Sequence, residues 1–412
     1  MLAKSLLLTG ALVLLPTSAF AADAVENSWP QWRGPARDGT VAGPAWPEKI
    51  SGGRLTRTWR AELGPSYSGP IVVGDRVYTT ETRNAKTEHV QALDRATGQK
   101  LWEVSWTGAL SVPFFAKSNG DWIRSTPACD GESLYVGGMR DLLVCLDAAT
   151  GSERWRLDFA EVFKSPLPAF GFVCSPLVVD DVLYVQAGGG FVKLDKRTGK
   201  VLWRTLDDGG GMNGSAFSSP ILTTLNGQPQ LLVQTREKLA GVEPESGKVL
   251  WSTPVEAFRG MNIVTPTRYE NQLFTSSYGG GSFLFAVDPT DAAVSQVWKN
   301  KVQGYMSTPV IIGGHAYLHL RNQRFACIDL ATGKEAWVST PFGKYWSLVV
   351  QGDRILALDE TGDLRLIRAT PEKFDLLDEV HLTDDSTWAH LAVAGHELFI
   401  RDLKGLTACQ WK

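Results

Sequence analysis

One short motif recurs along the chain. Five segments place an acidic residue eight positions before a tryptophan: ALDRATGQKLW (92–102), CLDAATGSERW (145–155), KLDKRTGKVLW (193–203), GVEPESGKVLW (241–251) and CIDLATGKEAW (327–337). A looser copy, AVDPTDAAVSQVW (286–298), lengthens this gap to ten positions. Recurrence at a nearly constant period indicates a repeat architecture, in which each unit buries its apolar face against its neighbours.

Each motif follows a pair of strand-like segments. The first pair is GPIVVGDRVYTTE (69–81), and similar pairs begin near residues 126, 175, 219, 265, 308, 347 and 390. β-Branched and aromatic residues separated by Gly, Asp or Asn predict strand, turn and strand. The Asp-x-x-Thr-Gly segment predicts a further turn, because Asp and Thr can bond nearby backbone amides and Gly adopts a positive φ. We expect the tryptophan to open the fourth strand and to wedge against the neighbouring sheet.

Eight units of four strands predict an all-β fold, an eight-bladed β-propeller. The eighth unit supplies only three strands, and the missing outer strand is available in RLTRTWRAELG (54–64), where Trp59 matches the repeat tryptophan. An N-terminal strand that completes the C-terminal blade removes an exposed edge. The seventh unit is degenerate, because RATPEKFDLLDE replaces the turn and the tryptophan. Seven blades followed by an irregular segment are the alternative.

The N-terminus has the pattern of a secretory signal. Lys4 precedes the apolar run SLLLTGALVLL (5–15), and Ala19-Phe20-Ala21 is a small-x-small cleavage site. We therefore expect a signal peptide over 1–21, an extended segment over 22–53, the propeller over 54–412, and a periplasmic or secreted location. A membrane anchor is the alternative for the first segment. No other run reaches the roughly 18 apolar residues of a bilayer-spanning helix, so no transmembrane segment is expected.

Charge and cysteine content narrow the functional classes. Lys and Arg (41) nearly balance Asp and Glu (44), which argues against a nucleic-acid partner. The cysteines form no C-x-x-C pair, and we expect buried strand residues, with one disulfide as the alternative. None lies near the predicted cleavage site, so no lipid anchor is expected. We also expect a monomer. The five cysteines are Cys129, Cys145, Cys174, Cys327 and Cys409.

A binding site is expected where the blades meet at one mouth of the central channel. Aligning the units on their Ser-Pro or Thr-Pro step gives one channel residue per blade: Tyr67, Arg124, Val173, Phe217, Ile263, Met306, Tyr345 and Trp388. The long, Gly-rich or aromatic loops that feed these positions are 103–125, 207–219, 255–264, 301–307 and 341–347, and the first could fold over the mouth. An apolar pocket with a few polar groups is the usual form of a ligand site.

Candidate ligand or cofactor residues follow from this alignment. They are Arg124, Asn262, Lys344, Trp346 and Trp388, with Asn213 as a further polar group. The alternative is that the aromatic side chains simply plug the channel. We assign no catalytic residue and no metal ligand.

The repeat resembles the pyrroloquinoline quinone (PQQ)-type propeller repeat. The start WPQWRGPARDG (29–39), followed by TRTWRAELGPSYSGPIVVGDRVY (56–78), is similar to that of secreted bacterial PQQ-binding-like β-propellers, and the resemblance covers residues 29 to 411. Two families share the repeat. The outer-membrane assembly factor BamB implies a non-catalytic module that binds a protein, peptide or glycan on its loop face. The quinoprotein alcohol dehydrogenases imply PQQ and calcium on the propeller axis, with an Asp as general base.

The residues favour the binding module. Trp388, Trp346, Arg124, Asn262 and Asp208 could supply parts of the quinone site that the second resemblance implies. However, no Glu or Asp occupies an aligned channel position, calcium requires several hard oxygens together, and the vicinal cysteine pair of many such enzymes is absent. We therefore predict a non-catalytic, BamB-like scaffold. A PQQ- and calcium-dependent dehydrogenase of alcohols or sugars is the alternative, and a sensor domain of a larger extracellular system is a third possibility.

Overall fold

The computed structural model describes residues 27–211, 214 and 217–411, so the predicted signal peptide and Asn213 lie outside the described residues. The strands of the described part form eight antiparallel sheets, each of four strands. Each sheet is one blade of a ring. The prediction of an eight-bladed β-propeller is therefore confirmed, and the seven-bladed alternative is wrong.

The first four blades each use four consecutive strands, numbered in chain order. Blade 1 contains β2 (Ile71–Val73), β3 (Arg76–Arg83), β4 (Thr87–Asp94) and β5 (Lys100–Thr107). Blade 2 contains β6 (Ala128–Cys129), β7 (Ser133–Gly138), β8 (Leu142–Asp147) and β9 (Glu153–Asp158). Blade 3 contains β10 (Leu177–Val179), β11 (Val182–Ala187), β12 (Gly190–Asp195) and β13 (Val201–Thr205). Blade 4 contains β14 (Ile221–Leu225), β15 (Gln228–Gln234), β16 (Lys238–Val242) and β17 (Val249–Pro254).

The same order holds until the last blade. Blade 5 contains β18 (Thr267–Tyr269), β19 (Gln272–Ser277), β20 (Gly281–Val287) and β21 (Val294–Asn300). Blade 6 contains β22 (Val310–Ile312), β23 (His315–His319), β24 (Arg324–Asp329) and β25 (Glu335–Pro341). Blade 7 contains β26 (Trp346–Gln351), β27 (Arg354–Asp359), β28 (Asp363–Arg368) and β29 (Asp375–His381). Blade 8 contains β30 (Ala392–Ala394), β31 (Glu397–Arg401), β32 (Gly405–Trp411) and β1 (Leu55–Glu62).

Short helices interrupt the loops between blades. They are a 3-10 helix at Phe114–Asn119, an α-helix at Phe159–Phe163 and a 3-10 turn at Phe258–Gly260. Within the described part of the chain, no helix has the length and apolar character that crossing a bilayer requires.

The N-terminal strand closes the ring. β1 pairs antiparallel with β32 from Leu55 opposite Trp411 to Glu62 opposite Gly405. It becomes the outer strand of blade 8, as the sequence predicted. Both ends of the propeller are therefore held in one sheet, and the outer edge of β32 is covered.

The repeat tryptophans join each blade to the next one. The indole N–H of Trp59 in blade 8 donates to the carbonyl of Arg95 at 2.8 Å, in the Asp-x-x-Thr-Gly turn of blade 1. The acceptor is always the residue directly after the acidic one, and the same bond recurs at four further joints. These are Trp102 to Ala148 (3.1 Å), Trp155 to Lys196 (3.0 Å), Trp203 to Pro244 (3.3 Å) and Trp298 to Leu330 (2.7 Å).

The turn that receives the indole is itself held by its own side chains. Asp94 Oδ1 accepts from the backbone N–H of Thr97 at 2.8 Å and from its hydroxyl at 2.7 Å. These bonds favour the carboxylate form and lower the pKa of Asp94. Gly98 follows with a φ of +70° and lies directly against the indole of Trp59. The predicted roles of Asp, Thr, Gly and Trp in the motif are confirmed.

Two joints depart from this pattern, and the sequence explains both. The turn of blade 5, DPTDAA, has no glycine to receive the tryptophan of blade 4. Trp251 instead donates to Gln230 Oε1 at 2.7 Å within its own blade and lies against Gly241. In the degenerate seventh unit the carbonyl of Thr370 replaces the turn acceptor, at 2.8 Å from the indole nitrogen of Trp337.

The segment before β1 crosses the channel. We call residues 27–53 the plug. Trp29 exchanges two backbone hydrogen bonds with Val72 in blade 1, at 2.7 and 2.9 Å. Further along, Val41 donates to the carbonyl of Val350 in blade 7 at 2.8 Å. The predicted extended segment is therefore packed against the propeller.

The cysteine thiols are free and buried. Four lie in strands as expected, and Cys174 lies just ahead of β10. The disulfide alternative is not realised. Burial raises the pKa of the Cys129 thiol to about 12 and that of the Cys174 thiol to about 11.

We expect Gly199→Ala to destabilise the protein more than Gly227→Ala. Both glycines have a positive φ, +71° and +76°, so both substitutions carry the cost of a left-handed residue, about 1–2 kcal/mol. Only at Gly199 would the new Cβ lie 2.7 Å from the indole of Trp155, whereas nothing lies within 4 Å at Gly227. Overpacking should add about 1–3 kcal/mol.

Denaturant unfolding of both variants and the wild type measures the difference in the free energy of unfolding. Equal losses in the two variants would contradict the assigned role of the tryptophan joint.

Candidate functional site

The eight aligned channel residues border one cavity. Each of these residues lies three positions before the proline of the Ser-Pro or Thr-Pro step, or before the residue aligned with that proline. All eight line the cavity. The cavity has a volume of about 190 Å³. The loops that run from the outer strand of one blade to the inner strand of the next converge at this end of the channel, which we call the mouth.

One wall of the cavity is a continuous aromatic arc. The rings of Tyr345 and Trp388 stack with centroids 5.7 Å apart and an interplanar angle of 4°. Trp388 also contacts Tyr67, with centroids 5.6 Å apart. The guanidinium of Arg124 lies 5.8 Å from the centroid of Tyr67 and ends the arc. The opposite wall is apolar and consists of Val173, Phe217, Ile263 and Met306.

A belt of hydrogen bonds runs around the cavity below these residues. The residue directly before each proline donates its backbone N–H to the hydroxyl at the same position of the next blade. The bond lengths lie between 2.9 and 3.3 Å. Five links follow one another, in the order Gly69, Thr126, Ser175, Ser219, Thr265 and Thr308. The belt satisfies amides that would otherwise be buried without partners.

Trp32 of the plug forms the floor of the cavity. Its ring lies 5.4 Å from the ring of His390 in an edge-on arrangement. Two guanidinium groups flank the same indole, with Arg33 at 5.6 Å and Arg37 at 5.4 Å from the ring centroid. The channel is therefore closed opposite the mouth by an aromatic ring between two cations.

The two plug arginines are held by carbonyl groups alone. Arg33 donates to the carbonyls of Thr308 and Pro309 at 2.8 and 2.9 Å. Arg37 donates to those of Pro176 and Ser175 at 2.6 and 2.9 Å. Burial lowers the pKa of each guanidinium to about 10, so both remain charged at neutral pH. Neither forms an ion pair with a carboxylate of the described residues.

His390 is the titratable side chain beside the floor. Its Nδ1 lies 3.2 Å from the hydroxyl of Ser347, and Tyr345 packs against its ring. Burial, with a smaller contribution from the charge of Arg33, lowers the pKa of His390 to about 3. The imidazole is therefore neutral across the physiological range.

The loop predicted to fold over the mouth does so. Residues 103–125 place Val112, Ala116 and Gly120 on the cavity, and we call 107–120 the lid. The lid is tied at its base, where the N–H of Val112 donates to Asp121 Oδ1 at 2.9 Å. Its 3-10 helix turns Phe114 and Phe115 towards solvent, 86% and 54% exposed.

The structure brings two of the five candidate ligand residues together. Arg124 and Trp388 line the cavity, and they lie on either side of Tyr67. Lys344 is exposed and borders a neighbouring groove at the mouth, which shares Tyr67 and Trp388 with the cavity.

Asn262 and Trp346 lie elsewhere. Each directly neighbours a channel residue in sequence, and alternation along an extended chain turns it away from the channel. The Asn262 amide donates to the carbonyls of Arg236 and Val255 at 2.9 and 3.2 Å. Trp346 is fully buried between blades, with its ring centroid 4.8 Å from that of Phe325.

The described lining does not match the oxygen set of a calcium-bound quinone. Calcium takes about six to eight oxygen ligands, usually with carboxylates among them. No described residue of the cavity wall is Asp or Glu. The hydroxyl oxygens of its Ser and Thr residues already accept amide hydrogen bonds within the belt, and the other hydroxyl-bearing lining residues are Tyr67, Tyr305 and Tyr345. Asp208, the acidic candidate, does not border the cavity, and its N–H donates to the carbonyl of Gly189.

Several cavity residues were missed at the sequence level. The hydroxyl belt could have been found, because Ser or Thr precedes proline in five consecutive units. Trp32, Phe170 and Tyr305 carry no repeat signal. They reach the cavity only because the plug and two interblade loops fold across its two ends.

We expect the free energy of unfolding of wild type, relative to His390→Gln, to fall as pH falls from 6.5 to 4. The folded pKa of about 3 lies below the value of about 6.5 of an unfolded histidine, so the unfolded chain binds the extra proton in this window. One such group changes stability by up to about 1.4 kcal/mol per pH unit.

Urea unfolding at half-unit pH intervals measures this difference, with the exposed His396→Gln as control. Buried Glu88 and Asp141, whose pKa values burial raises to about 7, act in the opposite direction but are common to all three proteins. A pH-independent difference between wild type and His390→Gln would contradict the buried, neutral imidazole.

Comparison with known proteins shows which family this chain belongs to and which solved structures share its fold. The sequence profile described as outer membrane protein assembly factor BamB matches residues 86–339. BamB from Yersinia pestis is 20% identical over 304 residues, which cover 68% of this chain and 70% of that protein. The crystal structure of BamB from Moraxella catarrhalis superposes with a TM-score of 0.60 at 16% identity, covering 87% and 98% of the two chains. A europium-containing methanol dehydrogenase gives a TM-score of 0.69 at 14% identity, covering 94% and 92%, which shows a shared fold. The chain belongs to the outer membrane protein assembly factor BamB family of PQQ-like β-propellers.

Proposed function

We propose that the chain is a periplasmic, monomeric and non-catalytic binding module that captures polypeptide segments at the mouth of its propeller. The observation that carries the proposal is the exposed aromatic pair on the lid. Phe114 is 86% and Phe115 54% exposed, and their rings contact each other edge-on with centroids 5.6 Å apart. Large side chains that stay in solvent at a convergence of loops are typical of an interaction surface.

The lid pair continues into a larger apolar surface. Phe115 lies 6.3 Å from Phe170, which lies 5.5 Å from Phe217 in the cavity wall. Phe258, on the loop that enters blade 5, is 49% exposed. A partner that covers the lid would therefore meet the exposed rings of Phe114 and Phe115, which buried Phe170 supports, and aromatic residues are enriched among those that dominate binding energy.

The cavity supports binding better than catalysis. Among its described lining residues there is no cysteine and no carboxylate to act as nucleophile or general base, and the Ser and Thr hydroxyls belong to the belt. The low pKa of His390, about 3, makes its imidazole a weak base. The buried thiols elsewhere are held protonated. The mismatch with a calcium-bound quinone favours the binding module over the dehydrogenase alternative.

Membership of the BamB family suggests the class of partner. Outer-membrane barrel strands alternate apolar and polar residues over about ten positions. Such a strand, before it is inserted, presents one apolar face to a surface like the lid. We therefore propose extended amphipathic segments of outer membrane proteins as the ligand.

The double variant Phe114→Ser/Phe115→Ser should weaken peptide capture at least tenfold. Full burial of one phenylalanine side chain contributes about 1.5–3 kcal/mol, and each 1.4 kcal/mol changes affinity about tenfold. The probe is a fluorescent peptide of about twelve residues that alternates Phe, Tyr or Leu with Ser, Thr or Asn. Fluorescence anisotropy measures its dissociation constant against the full chain.

The matched control is Leu202→Ser/Leu376→Ser. These leucines are 48% and 42% exposed on the outer strands of blades 3 and 7, away from the mouth. The control should bind the peptide like wild type. An equal loss of peptide affinity in the two double variants would contradict the assignment of the lid as the binding surface. Tight calcium-dependent binding of PQQ, together with dye-coupled alcohol oxidation, would instead support the dehydrogenase.

A further inference from the structure

We propose that the channel cavity is a binding site for a small aromatic carboxylate, held with its ring against the aromatic arc and its anionic group at Arg124. The proposal concerns the inside of the cavity. It does not rest on peptide capture at the lid, and the two can fail separately.

The size and the walls of the cavity fit one aromatic ring system. An engineered apolar cavity of about 150 Å³ is known to bind benzene. The cavity of about 190 Å³ therefore has room for a ring with a short substituent. The arc of Tyr345, Trp388 and Tyr67 faces the apolar wall across the channel, so a flat, apolar ring can contact both sides.

The charges around the cavity favour an anion. Arg124 lies in the wall, and Arg33 and Arg37 lie behind the indole of Trp32 at the floor. None of these three guanidinium groups forms an ion pair with a carboxylate of the described residues. No described lining residue is acidic, and His390 is neutral. Asp121 and Asp38 act on Arg124 and Arg33, respectively, only from beyond ion-pair distance. Three positive charges without an ion-pair partner beside an apolar cavity favour a negative ligand over a positive one.

Arg124 is arranged to receive the anionic group. Its Nε donates to the carbonyl of Trp122 at 3.2 Å, and its Nη2 donates to that of Gly120 at 3.0 Å. Its Nη1 has no acceptor among the described residues. The guanidinium is thus fixed by the end of the lid while part of its donor set is left for a ligand. Desolvation lowers its pKa to about 10, so it is charged at neutral pH. A carboxylate bound there would make a charge-assisted hydrogen bond.

A route from solvent leads past the same residues. The mouth groove lies beside the lid residue Ser118 and shares Tyr67 and Trp388 with the cavity. Lys344, the exposed candidate from the sequence, borders this groove. Glu360 and Asp384 border the same groove, so the groove itself does not select an anion, and the selection falls to Arg124 inside the cavity.

Three indole derivatives that differ in charge test the proposal. Indole-3-acetate, indole-3-acetamide and tryptamine are titrated into the full chain by isothermal calorimetry at pH 7.5. We expect the acetate to bind at least tenfold more tightly than the amide, and the amine to bind most weakly. Hydrogen bonds between charged groups contribute about 1.5–3 kcal/mol, which corresponds to about tenfold or more in affinity.

Variants separate charge recognition from the shape of the cavity. Arg124→Gln should weaken the acetate at least tenfold and leave the amide within twofold, and Arg124→Lys should keep the preference for the acetate. Arg204→Gln is the matched control, because Arg204 also donates to backbone carbonyls but does not line the cavity. Ile263→Trp, which fills the apolar wall, should abolish binding of all three compounds.

Three outcomes would overturn the proposal. The first is no measurable binding of any of the three compounds to wild type. The second is equal affinity for the acetate and the amine. The third is an equal loss of acetate and amide binding in Arg124→Gln, which would make Arg124 a support of the lid rather than a ligand contact.

Discussion

The propeller depends on one interaction that is repeated from blade to blade. A tryptophan in the outer strand of one sheet donates its indole N–H to a turn of the next sheet and lies against the glycine of that turn. Because a sheet of four strands cannot bury both faces alone, each blade needs this contact to exclude water from its edge. The turn must be rigid to receive the ring, and the Asp and Thr side chains supply that rigidity through their bonds to the backbone. Where the glycine is missing, in blade 5, the tryptophan of blade 4 turns back into its own sheet.

The ring of joined blades leaves a channel on its axis, and two further sets of contacts close it. The hydroxyl belt ties the inner strands to one another near the mouth, so backbone amides that face neither sheet nor solvent are paired. The plug closes the opposite end with Trp32 and two buried arginines. Burying two cations is costly unless their donors are satisfied. Here carbonyl oxygens just ahead of the inner strands accept from the terminal guanidinium nitrogens, whereas the Nε of each arginine is buried without an acceptor among the described residues. The outcome is a closed pocket with an electropositive floor rather than an open channel.

The described lining of this pocket differs from the oxygen set that a calcium-bound quinone requires. The position of the pocket on the axis is a property of the architecture, but its chemistry is a property of the side chains. An apolar wall, an aromatic arc and arginines without carboxylate partners suit a planar anion and not a hydrated divalent cation. The lid adds an exposed aromatic surface above the pocket. The lid and the pocket, which we propose as two binding surfaces, therefore differ in chemistry and both lie at the mouth.

The sequence by itself determined the fold and the ring of residues around the axis. The repeated strand pairs counted the blades, Trp59 located the closing strand, and alignment on the Ser-Pro or Thr-Pro step, extended to the three units that lack it, found all eight channel positions, because these features are local in sequence. The sequence did not show which way the side chains next to those positions point. Asn262 and Trp346 were therefore expected at the mouth, but both side chains are buried and point away from the channel. Only the tertiary structure placed Trp32 at the floor and left Arg124 without a carboxylate partner. The first fact depends on contacts between the plug and distant parts of the chain, and the second on how the lid folds beside Tyr67, and neither the plug nor the lid carries the repeat.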